Sequence, residues 1–229
     1  MKPWQSFIKM PNQWVEDNSL RRFKWIKGSG SNHLAALMVL APILHHMDKE
    51  TGLTRLTYTQ LTDITDLSRE KVSRGLDVLL KFKLISYDTG KRSVFRVTNY
   101  DPLKGWVKFP AKPLYRGVGI YAFRDFKLRK RAELDAMKLY YLFASRRDRR
   151  TNMAKIGFDK IEVMTGIPRN NIKGGLNILA ANGLIHVERI PSSMSDYGVA
   201  NAYRLAHLDS YIHMGTRGRG MDSIDFMNG

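Results

Sequence analysis

The 229 residues are 43% hydrophobic, enough for two small cores of ordinary domain size. Lysine and arginine number 38 against 21 acids, a formal charge of +17 that draws the chain towards a polyanion and releases counterions on binding. No cysteine is present, which excludes a disulfide framework and a thiolate zinc site and fits a reducing compartment.

Nucleic acid is therefore the first candidate partner, ahead of a ribosomal or membrane-surface partner and of a basic surface that serves only solubility. Met1 to Phe7 lacks the apolar run of a secretion signal. The longest apolar run, Leu34 to Leu44 with Pro42 inside it, is too short to span a bilayer. The expected location is the cytoplasm, on nucleoid or plasmid DNA, with no membrane contact.

Residues 1–30 form an amino-terminal arm in which Trp4, Phe7, Trp14, Phe23 and Trp25 alternate with basic residues, ending in the flexible Gly28-Ser-Gly-Ser31. Such aromatics stack on unpaired bases in some proteins; packing of the arm against its own domain is the expectation. Residues 31–100 read as the first domain. Leu34 to Met47 is a helix apolar on most sides, and therefore buried. His45-His46 at its end point in different directions and lack a third ligand at metal spacing. After the turn Asp48 to Gly52 and a short extended piece, Leu53 to Thr57, come two short helices joined by a tight turn. Leu61 and Ile64 line the first; Val72, Leu76, Leu79 and Leu80 line one face of the second.

Ser68 is a natural N-cap for that second helix. Its opposite face offers Arg69, Lys71, Ser73 and Arg74, donors long enough to reach base edges or phosphates in a major groove. Lys83 to Tyr87, the turn Asp88 to Arg92 and Ser93 to Thr98 then give strand, turn, strand. This is a helix-turn-helix followed by a hairpin wing, with Lys91 and Arg92 at the wing tip to touch phosphate or enter a minor groove.

Residues 101–131 connect the halves, stiffened by Pro102, Pro110 and Pro113. Trp106-Val-Lys-Phe-Pro110 echoes Phe7-Ile-Lys-Met-Pro11, so each domain starts with an extended lead-in. The basic segment Tyr121 to Arg131 fits either a strand between the domains or a backbone-contacting segment. Residues 132–210 form the second domain. Its helix, Leu134 to Ser145, ends in the cluster Arg146-Arg-Asp-Arg-Arg150, where Arg149 and Arg150 are candidate phosphate contacts and a favourable helix terminus in equal measure. The second helix-turn-helix runs from Phe158 to about Asn182, with Pro168 in the first helical turn. It exposes Arg169, Asn170, Asn171, Lys173 and Asn177. Asparagine pairs bidentately with adenine and arginine with guanine, so the two helices present different readers. Gly174-Gly175 offers a close approach to a DNA backbone. The wing after it is longer, and residues 211–229 read as a flexible tail.

The organising feature is a repeat. Sliding the chain by 100 residues pairs Leu61 with Ile161, Ile64 with Met164, Arg69 with Arg169, Val72 with Ile172, Gly75 with Gly175 and Leu84-Ile85 with Leu184-Ile185. Upstream, Phe23 falls on Phe123 and Leu40 on Tyr140, which favours core packing for Tyr140. Phe95-Arg-Val97 matches Tyr203-Arg-Leu205 at a shift of 108, so eight residues are inserted at the second wing tip. The period is too long for a solenoid and implies tandem copies of one domain. The predicted fold is α+β, mainly α, with two tandem winged helix-turn-helix domains.

No phosphate-cradling loop, paired-histidine metal motif or catalytic constellation is found, so neither enzyme activity nor a cofactor or metal is expected. On residues Leu61, Leu67, Val72, Leu76, Leu84 and Ile85 and on the duplicated architecture, the chain resembles the tandem winged-helix replication initiators of plasmids. Leu56 to Ile85 is also similar to the amino-terminal winged-helix segment of phage and primosomal replication proteins. The resemblance implies sequence-specific binding of double-stranded DNA at repeated origin sites and recruitment of host replication proteins such as helicase or primase; homodimerisation is a further expectation. The same fold serves transcription regulators that bind promoter DNA, and architectural binders.

Overall fold

The computed structural model describes residues 5–88, 91–191 and 199–208 of an α+β chain. β1 (Phe7–Pro11) leads through the one-turn α1 (Gln13–Glu16) and a 3-10 turn (Ser19–Arg22) to α2 (Gly30–His45). Then follow β2 (Leu53–Arg55), α3 (Tyr58–Thr65), α4 (Arg69–Lys81), β3 (Ile85–Asp88) and β4 (Lys91–Val97). The chain continues with β5 (Trp106–Pro110), the two-residue strands β6 (Tyr115–Arg116) and β7 (Gly119–Ile120), a 3-10 turn (Tyr121–Asp125) and α5 (Arg131–Arg146). It then repeats the earlier order with β8 (Met153–Lys155), α6 (Phe158–Thr165), α7 (Arg169–Ala181), β9 (Ile185–Pro191) and β10 (Val199–Leu205).

A helix that is apolar on every side has to be surrounded, and α2 is. From Leu34 to His45 every residue is buried, with α4 on one side, α5 on another and β1 nearby. Both α2 and α5 start before the apolar spacing suggests, at Gly30 and Arg131 rather than Leu34 and Leu134, because their first turns are polar. The α2 helix also ends at His45, two residues before Met47.

Local chemistry explains the two short helix pairs. Thr57 and Gln60 form a reciprocal capping box at the start of α3, with bonds of 3.2 and 2.8 Å. Ser68 caps α4 by accepting from the Lys71 amide at 3.2 Å. In the second half Gly157 and Pro168 hold the corresponding positions and provide no side-chain cap. Pro168 thus stands just before α7 rather than in its first turn. The α3 and α6 helices both end in a left-handed residue, Asp66 and Gly166.

Each half closes with a three-stranded antiparallel sheet, ordered β2-β4-β3 and β8-β10-β9. The registers correspond: Leu53 pairs with Arg96 as Met153 pairs with Arg204, and Ile85 with Val97 as Ile185 with Leu205. Asp48 and Asp148 close the turns before β2 and β8 alike, each accepting from the threonine amide three residues on at 2.8 Å. The tip of the second hairpin, residues 192–198, lies outside the described residues, as do the stretch from 209 onwards, Trp4, and the side chains of Lys91 and Arg92.

The halves meet about an approximate two-fold axis. β1 and β5, the two lead-ins, pair antiparallel with Lys9 opposite Lys108, each at the same place in its own copy. Lys9 lies over the Trp106 ring at 4.8 Å and Lys108 over the equivalent Phe7 ring at 4.4 Å. The 3-10 turn Ser19–Arg22 packs on α6, and β7, its counterpart, packs on α3. Reciprocity of this kind is the mark of an isologous interface. The arm therefore crosses to the second half as well as lying on its own. Residues 121–125 form a 3-10 turn rather than a strand.

Between them α2 and α5 seal the centre. Tyr141 donates its hydroxyl to the Leu37 carbonyl at 2.9 Å and stacks on Phe109 at 5.1 Å, while Trp14 meets Tyr141 edge-on. Tyr140 is buried, in keeping with its alignment to Leu40. The result is one continuous apolar core running through both halves.

Candidate nucleic-acid interface

The apolar stripes decide which faces remain open. Val72, Leu76 and Leu79 bury one side of α4 and Ile172, Leu176 and Leu179 one side of α7, so the opposite sides face outwards. On α4, Ser68, Arg69 and Arg74 are exposed and Ser73 is half-buried. On α7, Arg169, Asn170, Lys173 and Asn177 are exposed and Asn171 is half-buried.

Lys71 does not belong to this surface. Its ammonium donates to Ser31 Oγ at 2.8 Å and Asn32 Oδ1 at 2.9 Å, bracing α4 on the first turn of α2. Sequence spacing places it near the outward face because a long side chain can swing to either flank; the two acceptors on α2 decide which. Gly175 likewise serves protein packing. A Cβ on Gly175 would lie 3.0 Å from the Ala136 amide nitrogen, and one on Gly75 would lie 3.0 Å from the Ala35 carbonyl carbon, so both glycines admit a neighbouring helix.

Arg69 and Arg169 are held in matching ways. The Arg69 guanidinium lies 5.4 Å from the Tyr58 ring centre and that of Arg169 5.7 Å from the Phe158 ring, and rings and arginines are equivalent under the 100-residue shift. Contact with an aromatic face restricts a guanidinium while leaving its edge donors open. Arg169 also pairs with the exposed carboxylate of Asp159, a bond that water screens strongly.

Two acids share the outward side with the basic residues: Glu70 and Asp77 are exposed on α4, whereas α7 carries no carboxylate. In a groove a carboxylate accepts from the cytosine amino group and repels phosphate. The two faces therefore differ in charge as well as in side chains.

The arginine cluster after α5 is divided. Arg146 is bound within the chain, 2.8 Å from Glu16 of α1. Arg149 and Arg150 are exposed in a turn closed by Asp148, which accepts from the Arg150 amide at 3.0 Å. On the hairpins, Arg96 faces outwards 3.7 Å from Asp88, and Arg204 is paired with Glu188 at 2.7 Å.

His45 lies in the core with Nδ1 2.9 Å from the Tyr115 hydroxyl. Burial pushes its imidazole down to about 3 and that of His46 to about 4, so both are neutral in the fold. Among the described residues no group of three or more His, Asp or Glu side chains is placed to hold a metal ion, and no helix is long and apolar enough to cross a membrane. No protein-family model, curated protein or solved structure matches the chain.

Proposed function

We propose that the protein binds double-stranded DNA sequence-specifically through two winged helix-turn-helix units, and that it is a replication initiator of a plasmid or other mobile element acting on repeated origin sites. The observation that carries the reading is the pair of equivalent outward faces on α4 and α7. Each follows a short helix and a tight turn, precedes an antiparallel hairpin, and offers an arginine held on an aromatic ring. Helices so mounted fit a major groove, with base edges read by the first turns. The net charge of +17 favours the phosphate backbone.

In this reading α4 and α7 enter neighbouring major grooves on one side of the duplex, about 34 Å apart. Because the halves are related by a two-fold axis, the half-sites run in opposite directions. Their sequences differ, since Arg69, Ser73 and Arg74 face one and Arg169, Asn170, Asn171, Lys173 and Asn177 the other. Lys91, Arg92, Arg149 and Arg150 hold phosphates. Initiation then requires a docking surface for host helicase or primase.

Selection of bound fragments from random duplexes tests this. The expected product is a site with two unlike inverted halves, occurring in several direct copies at an origin. Single copies at promoters would favour transcription regulation instead, and failure to enrich any sequence would refute specific binding. Arg69→Ala and Arg169→Ala should each cost about 1–3 kcal/mol at one base pair. A uniform loss over all sequences would make them phosphate anchors.

A further inference from the structure

The crossing of the two lead-ins puts cations where neither helix-turn-helix could supply them. Arg21 donates from Nη1 to the Val163 carbonyl of α6 at 3.1 Å. Its stem lies against Gly166, the turn residue before α7: a Cβ there would be 3.6 Å from Arg21 Cγ. Beside this contact opens a cleft of about 530 Å³ whose lining includes Arg21, Arg22, Lys24, Arg131, Lys138 and Gly166. Its one carboxylate, Asp135, is buried and sits 3.5 Å from the Arg131 guanidinium. Arg22 is occupied, stacked on Phe82 at 4.1 Å and donating to the Phe82 carbonyl. Lys24 is exposed at the rim.

The other lead-in does the same to the first half. β7 lies on α3 so closely that a Cβ on Gly119 would come within 3.0 Å of the Asp63 carbonyl oxygen. Tyr121 follows β7 directly, and its exposed ring carries the Arg124 guanidinium at 5.9 Å.

The turn ahead of a groove-reading helix lies at the groove edge, next to the sugar-phosphate backbone. We infer that each lead-in holds DNA phosphates beside the half-site read by the opposite half: Arg21 and Lys24 next to α7, Arg124 next to α4. The inference rests on the DNA-binding reading and adds to it a phosphate clamp that is exchanged between halves. Half-site spacing then depends on the β1–β5 ladder, because the clamp for one groove is anchored in the sequence that leads into the other unit.

The test uses the full chain and the duplex enriched from a random pool. Lys24→Gln and Arg124→Gln remove one exposed cation from each lead-in, and each should lower the slope of log affinity against log salt by about 0.9, with base preference unchanged. Lys24→Arg and Arg124→Lys keep the charge and should keep the slope; a slope that falls in these as well overturns the phosphate assignment. Phosphate-ethylation interference gives the location. Lys24→Gln should abolish interference beside the half-site whose base preference responds to Arg169→Ala, and Arg124→Gln beside the one that responds to Arg69→Ala. Unchanged slopes, or losses on the same half as the altered lead-in, overturn the exchange and leave duplex binding standing. If the unaltered chain binds no duplex, both the binding reading and the clamp fall.

Discussion

Lys138 and Met38 hold equivalent places in the two halves, yet only the lysine crosses between them, donating to the Phe23 carbonyl at 3.0 Å. Burial pushes this amine down to about 8, with Asp135 partly restoring the charged form. Its unfolded value is higher, so the unfolded chain holds the extra proton and stability rises as pH climbs from about 8 towards 10.5. His45 and His46 act in the acid range. His45 and His46 fall to about 3 and about 4 in the fold, while the unfolded side chains take up protons from 6.5 downwards. Stability is lost as pH drops through that window, by at most about 1.4 kcal/mol per pH unit for His45 and by less for the half-buried His46, which water screens. Urea melts across pH should show the midpoint falling below pH 6.5, and His45→Gln, which keeps a partner for Tyr115 without titrating, should flatten the fall. An unchanged pH profile in that variant would assign the acid sensitivity elsewhere.

At the scale of elements, adjacent glycines in α7 have opposite roles. Glycine inside a helix costs about 1 kcal/mol relative to alanine, so each substitution begins with that gain. At Gly174 the new Cβ meets only the Ala132 methyl group at 3.6 Å, an ordinary contact. At Gly175 it meets Leu139 at 2.8 Å and α5 backbone at 3.0 Å, and at Gly75 it meets α2 backbone at 3.0 Å. Backbone cannot turn aside, and overpacking of this kind costs about 1–3 kcal/mol, more than the propensity returns. Chemical denaturation should therefore rank Gly174→Ala above the unaltered protein and Gly75→Ala and Gly175→Ala below it. Equal stability of the three variants would mean that the helix pairs tolerate separation.

For the whole molecule, the shared core matters more than the boundary between copies. The α2 and α5 helices bury their remaining faces on one another, and among the described residues β1 has no ladder partner without β5. Division between residues 104 and 105 separates Tyr141 from the Leu37 carbonyl and Phe109 from the His45 ring. The complete chain should melt in one cooperative transition. Fragments 5–104 and 105–208 should each give a broad melt and bind a hydrophobic dye, and a sharp independent transition in either would show that a half is self-sufficient.

By itself, the sequence determined the local elements and their repetition, because periodicity, caps and turns are properties of neighbouring residues. Leu61, Ile64, Val72 and Leu76 face inwards as their spacing requires, Ser68 caps α4, and the 100-residue shift carries over into matching strand registers. Spacing does not show that Lys71 bonds to α2 or that Gly175 admits α5, since an outward angle on a helix wheel does not reveal which helix lies alongside. Only the tertiary structure decided that the lead-ins exchange between halves, pairing at Lys9 and Lys108 and setting Arg21 against α6 and Gly119 against α3. That choice depends on contacts far apart in sequence, where no local propensity acts and the burial of two facing apolar surfaces selects the partner.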